Sequence, residues 1–428
     1  NFTPEKLNVC LLNDSFPPVI DGVSNTVVNY AKIITAKGLD CAVVTPEYPG
    51  AVDDYTFPVV RYPSINTTKF AGYRAGYPFS PVTVGNIGKM GFNVIHTHCP
   101  VSSAIMARNL REVIDAPVIL TYHTKFDVDI DRAVKGKIAR NSAIKLLVDN
   151  ISSADEVWVV SNGAGENLTQ NGYRGQWRVM PNGVDLSKGI AAVKLQNQLL
   201  SEWNIDSQNL PVYLFVGRLR WYKGLKIILD AMKQLKDCGK DFVMVFVGGG
   251  MDEPDAKKYA AKIGVADNCR FVGPVSDREI IRGWYSLADV LLFPSTYDTN
   301  GLVVREAAAC SLSTVLIKDS CAAEGVVDGE SGFMIEENAE SLAELLLNPN
   351  MTKEYYRQVG QCAADTIYMS WEDSVENAIN RYYEVYDEYK SGRLRRKRVA
   401  SDFLFDLGGN ITESVDFIRD KGKKLLQD

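Results

Sequence analysis

Val212-Tyr213-Leu214-Phe215-Val216-Gly217-Arg218-Leu219-Arg220-Trp221-Tyr222-Lys223-Gly224 is the stretch that decides the fold. Its first five residues are apolar and rich in β-branched and aromatic types, the composition of a short strand buried on both faces. A Gly-basic turn follows, then Leu225–Cys238, whose apolar residues recur at helical spacing. Strand, tight turn and helix in that order open a βαβ unit of a parallel sheet. At such a turn the backbone N–H groups, the helix dipole and the charges of Arg218 and Lys223 attract an anion such as phosphate. Taken alone, the stretch reads equally well as a solvated basic turn.

Working outward, the same alternation fills the chain. After Leu210, further strands are expected at Phe242–Gly248, Cys269–Phe271, Val290–Phe293, Thr314–Ile317 and Gly332–Ile335. Helices are expected at Asp255–Ile263, Asp277–Ser286, Val304–Ala309, Cys321–Val326 and Glu340–Leu347. The first half repeats the scheme. Its strands are Asn8–Leu12, Asp40–Thr45, Val59–Arg61, Val94–His98, Val118–Tyr122, Glu156–Val160 and Arg178–Met180. Its helices are Gly22–Lys37, Ser102–Ile114, Ala133–Ser152 and Gly163–Asn171. Tyr62–Lys89, rich in Pro, Gly and Tyr, reads as a long loop, and Lys353–Lys390 as helical. The fold class is therefore α/β, with two doubly wound, Rossmann-like domains whose facing edges make a cleft, the default place for a ligand. We expect an N-terminal domain over 1–185, a second domain over 186–365, a return helix over 366–390 and a basic, amphipathic tail over 391–428.

Composition narrows the partners. The 428 residues carry 47 Lys+Arg against 53 Asp+Glu, a net charge of −6 that excludes a global basic field for nucleic acid. Eight scattered cysteines with no C-x-x-C pair suggest free thiols in a reducing cytoplasm. No signal peptide is expected, and no stretch approaches the ~18 consecutive apolar residues of a membrane span.

A second chemistry-bearing cluster is Pro294-Ser295-Thr296-Tyr297-Asp298-Thr299-Asn300-Gly301-Leu302-Val303-Val304-Arg305-Glu306. Asp298 is placed to accept hydroxyls of a sugar and Glu306 those of a ribose, while N–H groups at Gly301 and Leu302 favour phosphate. Alone, an N-cap Asp with a surface Glu is the commoner case. In the first half, Asp21-Gly22-Val23 joins strand to helix, and Pro181-Asn182-Gly183-Val184-Asp185 is a tight turn. The only histidines, His96, His98 and His123, fall at expected strand ends. A polar contact from His123 to substrate is the favoured reading, ahead of internally satisfied histidines and of a zinc site without characteristic spacing.

Gly22, His123, Pro181–Asp185, Gly217-Arg218 with Lys223-Gly224, and Asp298-x7-Glu306 together resemble the retaining glycosyltransferases of family 4, which have the GT-B fold. The resemblance spans about residues 7–388 and includes Ser370-Trp371-Glu372 before a final helix that crosses back to the first domain. It implies that Arg218 and Lys223 bind the donor diphosphate and stabilise the departing charge, with Gly217 in the same turn. Glu306 would hold the ribose and Asp298 the transferred sugar, and the backbone of Asn300, Gly301 and Leu302 would lie near the phosphates. Gly22 would approach donor phosphate and acceptor, Asn182 would line the donor side, and His123 would lie beside the reacting carbon. No metal and no cofactor are implied, the nucleotide sugar being a co-substrate. Asp298 stands where the family usually has Glu, and Asn300 where an aromatic or apolar residue is common.

The acceptor is read from Arg132, Lys135, Lys137, Arg140 and Lys145, cations without an intervening acid that interleave with apolar residues. A basic amphipathic helix of this kind lies on anionic membranes or is an ordinary surface helix. The loop before this helix, together with Gly22-Val23-Ser24-Asn25-Thr26, is similar to the branch that glycosylates diacylglycerol-type lipids, and Arg393–Arg398 with the tail is a second candidate membrane contact. The expected activity is transfer of a hexose, glucose, from a UDP-linked donor to a lipid hydroxyl, in the cytoplasm and peripheral to the inner face of the membrane. A soluble saccharide or small-metabolite acceptor is the alternative. A non-catalytic nucleotide-sugar-binding protein is the alternative of another class.

Overall fold

The computed structural model describes residues 6–67, 74–127, 130, 134–402 and 405. The chain forms two compact units: the residues up to Asn182 with those from Trp371 onward, and Gly183–Ser370. The divisions thus fall at 182/183 and 370/371, against the expected 185 and 365.

In unit 1 the strands are β1 (Asn8–Leu12), β2 (Asp40–Pro46), β3 (Val59–Tyr62), a two-residue hairpin of β4 (Ser64–Ile65) and β5 (Ala75–Gly76), then β6 (Val94–Thr97), β7 (Val118–Tyr122), β8 (Glu156–Val159) and β9 (Arg178–Val179). Seven of them pair in parallel in the order β3-β2-β1-β6-β7-β8-β9. The helices are α1 (Gly22–Ala36), α2 (Pro81–Gly88), α3 (Ser102–Leu110), α4 (Lys137–Ser152) and α5 (Asn162–Gln170), completed by the C-terminal helix Trp371–Lys390.

Side chains alternate across a strand, so β1, β2, β3, β6, β7 and β8 each serve two cores. Val9, Leu11, Val43, Val94 and Trp158 pack beneath α1 and the C-terminal helix. Cys10, Leu12, Val44, Ile95 and Leu120 pack on the other face with Val84, Met106, Ile151 and Leu168. The C-terminal helix joins its core through Trp371, Val375, Ala378, Ile379, Tyr382 and Val385, an apolar stripe at helical spacing.

Unit 2 contains β10 (Val212–Val216), β11 (Val243–Val247), β12 (Cys269–Gly273), β13 (Val290–Phe293), β14 (Thr314–Ile317) and β15 (Phe333–Ile335). They form one parallel sheet, β12-β11-β10-β13-β14-β15. Helices α6 (Val193–Glu202), α7 (Leu225–Asp237), α8 (Glu253–Lys262), α9 (Arg278–Leu287), α10 (Leu302–Ala309), α11 (Ala339–Leu347) and α12 (Lys353–Thr366) accompany it. In both sheets the order reverses at the first strand, between β1 and β6 and between β10 and β13. A doubly wound sheet takes its ligand at the carboxyl end of that switch.

Two expectations are corrected. The supposed loop 62–89 contains α2, whose Ser80 hydroxyl caps the Thr83 N–H and whose Pro81 occupies the first turn. Cys321–Val326 is only a 3-10 turn, Cys321–Ala323, followed by Gly325 at φ +81°. The Lys353–Lys390 stretch is helical as expected, in two helices divided between Thr366 and Trp371.

Candidate functional site

The loops leaving β10 and β13 meet at the switch point of unit 2. Gly224 has φ +84°, and a Cβ there would lie 2.1 Å from the Pro294 carbonyl oxygen, so the two loops pack backbone against backbone. This approach brings the expected residues Lys223 and Asp298 into contact. The Lys223 ammonium donates to Asp298 Oδ1 at 2.6 Å, and Ser295 Oγ donates to Asp298 Oδ2 at 2.7 Å. Lys223 is buried. Its Nζ lies 5.9 Å from the Tyr222 ring and 5.7 Å from the Tyr297 ring, and those rings are 4.7 Å apart. Arg218, beside Gly217, is exposed; its carbonyl accepts from the Arg220 N–H at 2.9 Å, while its guanidinium has no ion-pair or hydrogen-bond partner among the described residues. One ammonium shared with a carboxylate and one uncommitted guanidinium are suited to a diphosphate.

Helix α10 begins at Gly301, φ +56°, with no side-chain cap. The preceding Asn300 is buried, and neither its Oδ1 nor its Nδ2 has a partner among the described residues. Leu302 is partly exposed in the first turn. Glu306 accepts from Arg278 Nη2 at 2.6 Å and from Tyr285 OH at 2.9 Å. Burial opposes the Arg278 charge, but the neighbouring Glu306 outweighs it and the guanidinium pKa rises. Arg305 instead donates to the Ile367 carbonyl at 3.3 Å and anchors α10 to the end of α12.

The unit 1 candidates gather separately. Asp21 caps α1, accepting from Val23 N at 2.9 Å and Ser24 N at 2.7 Å. Gly22 is exposed, and a Cβ there would meet nothing within 4 Å, so no neighbour in the chain demands glycine. His123 engages both ring nitrogens internally: Nε2 with His98 Nδ1 at 3.0 Å and Nδ1 with Asn182 Nδ2 at 3.4 Å. If the Asn182 amide donates as built, His123 carries its proton on Nε2 and His98 carries its own on Nε2. His96 binds Tyr382 OH at 2.6 Å and Thr121 Oγ1 at 2.7 Å. Burial pushes all three imidazoles down, His123 to about 4, so they are neutral at pH 7. They are held mainly by one another and by neighbouring side chains, His98 Nε2 alone of their ring nitrogens lacking a partner among the described residues, and among those residues no group of His, Cys, Asp and Glu is arranged to hold a metal.

Of the acceptor-side cations, Arg132 lies outside the described residues. Lys135, Lys137 and Lys145 are exposed, with Ile138 and Leu146 also open to solvent, and Arg140 donates to the Val134 carbonyl. The second cationic run is paired in part within unit 1. Arg396 pairs with Glu112, Arg393 with Asp387, and Lys390 with Asp115. Beyond it, Asp402 forms a buried 2.6 Å ion pair with Arg108. Most of the tail lies outside the described residues.

Ser295, Tyr297, Arg278 and Tyr285 were not among the expected residues. Tyr297 and Ser295 sit inside the quoted motif, so their place was readable. The meeting of α9 with Glu306 depends on packing and had no local signal.

Known proteins match this arrangement in order. The model for Glycosyltransferase Family 4 matches residues 20–188, and that for Glycosyl transferases group 1 matches 201–363. The Acholeplasma laidlawii alpha-monoglucosyldiacylglycerol synthase is 23% identical over 401 residues, covering 88% of this chain and 100% of that one. A D-inositol 3-phosphate glycosyltransferase of Corynebacterium diphtheriae is 23% identical over 353 residues, 76% and 81% of the two chains. The solved structure of Anabaena HepE in complex with UDP superposes with a TM-score of 0.69 at 17% identity, covering 88% of this chain and 100% of that one.

Proposed function

Because the chain belongs to the glycosyltransferases that join a family 4 domain to a group 1 domain in the GT-B fold, we propose that it transfers glucose from a UDP-linked donor to a membrane lipid hydroxyl such as diacylglycerol's. The observation that carries the donor half is the Lys223–Asp298 pair beside Arg218, at the carboxyl ends of β10 and β13. Cleaving a sugar–diphosphate bond builds negative charge on the leaving group, and Lys223, held by Asp298, and the exposed Arg218 are cations that stabilise it without a metal. Asp298 orients the sugar hydroxyls and Glu306 takes the ribose. The buried Asn300 amide finds its missing partners on the donor, and the α10 N-terminus receives phosphate through Gly301 and Leu302. Attack comes from the face the leaving group departs, with retention, and a donor phosphate oxygen takes the acceptor proton.

In unit 1, the family resemblance assigns Gly22 to the phosphate and acceptor and His123, neutral and hydrogen-bonded to His98 and Asn182, to the reacting carbon. Lipid is favoured by the exposed Lys135, Lys137 and Lys145 next to Ile138 and Leu146, and by the lipid named for the Acholeplasma relative. The protein would then act at the cytoplasmic membrane face. No described helix is long and apolar enough to cross a membrane. The Corynebacterium relative favours a second reading with a soluble acceptor such as an inositol phosphate. The test is thermal-shift screening with UDP-, GDP- and ADP-glucose, followed by turnover on diacylglycerol in anionic vesicles and on inositol phosphate. Stabilisation by UDP-glucose with product only from vesicles is the expected result. Product only from the soluble acceptor would replace the lipid reading.

A further inference from the structure

Arg278 and Tyr285 are seven residues apart on α9, two turns of helix, so their side chains leave the same face. Both reach one carboxylate: Arg278 Nη2 donates to Oε1 of Glu306 and Tyr285 OH to Oε2. Tyr285 is fully buried, whereas the Arg278 side chain is 40% exposed. A carboxylate has about four acceptor positions, so each Glu306 oxygen keeps one after these bonds. Held from both sides, the carboxylate cannot rotate, and its two remaining lone pairs suit the two hydroxyls of a vicinal diol. The Nε–H of Arg278 is buried beside it without an acceptor among the described residues, leaving a donor for one of those hydroxyl oxygens.

We propose that Tyr285 and Arg278 are positioning residues that fix Glu306 as a receptor for the 2′,3′-diol of a nucleoside diphosphate. This rests on the proposed donor reading of unit 2. Tyr285 acts only through Glu306; Arg278 acts through it and offers its Nε–H to the diol. Pre-setting the carboxylate removes an ordering cost that each binding event would otherwise bear.

The experiment compares the UDP, GDP or ADP that most stabilises the full chain with its 2′,3′-dideoxy counterpart, by calorimetric titration. Wild type should prefer the ribose form by tens of fold. Glu306→Ala should lose that preference while still binding the dideoxy form; if it keeps the preference, the donor reading fails and this inference with it. Tyr285→Phe should bind the ribose form about tenfold more weakly and the dideoxy form unchanged, the loss expected for one hydrogen bond to a charged group. Its donor KM should rise with kcat little altered. A merely structural role would weaken both nucleotides alike, and that result, or an intact ribose preference, overturns the proposal while the Glu306 result stands. Should Tyr285→Phe not fold, the half-exposed Arg278→Met takes its place with the same expected pattern, and Arg278→Lys should restore only part of the preference because it lacks the fork. Binding of none of the three nucleotides sinks both readings.

Discussion

At the ends of β6 and β7, unit 1 gathers three imidazoles that burial keeps neutral: His98 and His123 are hydrogen-bonded to each other, His96 to Thr121 and Tyr382, and His123 to Asn182. At the corresponding edge of β10 and β13, unit 2 gathers ions: Lys223 with Asp298, Arg278 with Glu306, and Arg218 exposed. The sheets have the same switch-point topology, so the contrast comes from their loops. Topology decides where a ligand goes; loop chemistry decides what it is. A neutral cluster has little pull on an anion, while cations beside an uncapped helix start attract one.

The largest expected effect strikes the junction that assembles the charged edge. Gly224→Ala places a Cβ at positive φ against the Pro294 carbonyl, and we expect a loss of at least ~4 kcal/mol from unit 2. Hydrogen exchange should show protection lost across β10 and β13 but retained in β1 and β6. Uniform loss would mean that the units do not fold independently. Next is the buried pair in unit 1. Asp402→Ala strands the Arg108 guanidinium and should cost ~3 kcal/mol there, read as a lower denaturant midpoint for unit 1 with unit 2 unchanged.

What was legible in the sequence follows from how local the cause is. Val118–Tyr122 and Val290–Phe293 are apolar runs that need no partner to be read, and both are strands as expected. Helix α2 was hidden because Gly85 and Gly88 blur its period, although Ser80-Pro81 is a legible start. Gly217–Gly224 and Asp298–Glu306 were legible as motifs; that Lys223 and Asp298 pair with each other was not, since it depends on a close backbone approach 75 residues apart in sequence. Arg396 looked available because its acidic partner, Glu112, lies in a distant part of the chain, whereas Arg393 pairs with Asp387 only six residues before it.

A smaller effect comes from pH. The histidines have folded pKa values below the unfolded 6.5, so their contribution is complete above pH 6.5 and falls as the pH drops toward about 4 for His123. The slope should be about 1.4 kcal/mol per histidine per pH unit. Burial raises the pKa of Asp14, which binds its proton more readily in the folded state and offsets part of this loss. Denaturant titrations at pH 7 and 5 should therefore show unit 1 weakening more than unit 2. Equal weakening would erase the contrast. The smallest effect is at the surface: Lys137→Glu with Lys145→Glu should reduce sedimentation with anionic vesicles by about 1 kcal/mol per lysine at low salt, without altering nucleotide affinity. Unchanged sedimentation would remove α4 from the membrane reading.

The donor site on unit 2 is tested most directly by steady-state release of UDP from UDP-glucose in the presence of diacylglycerol vesicles, comparing wild type with Lys223→Ala. Removing a fixed cation from the departing diphosphate should lower kcat/KM by ~100-fold or more in a protein that still unfolds cooperatively. Turnover by Lys223→Ala within a factor of two of wild type would contradict the account.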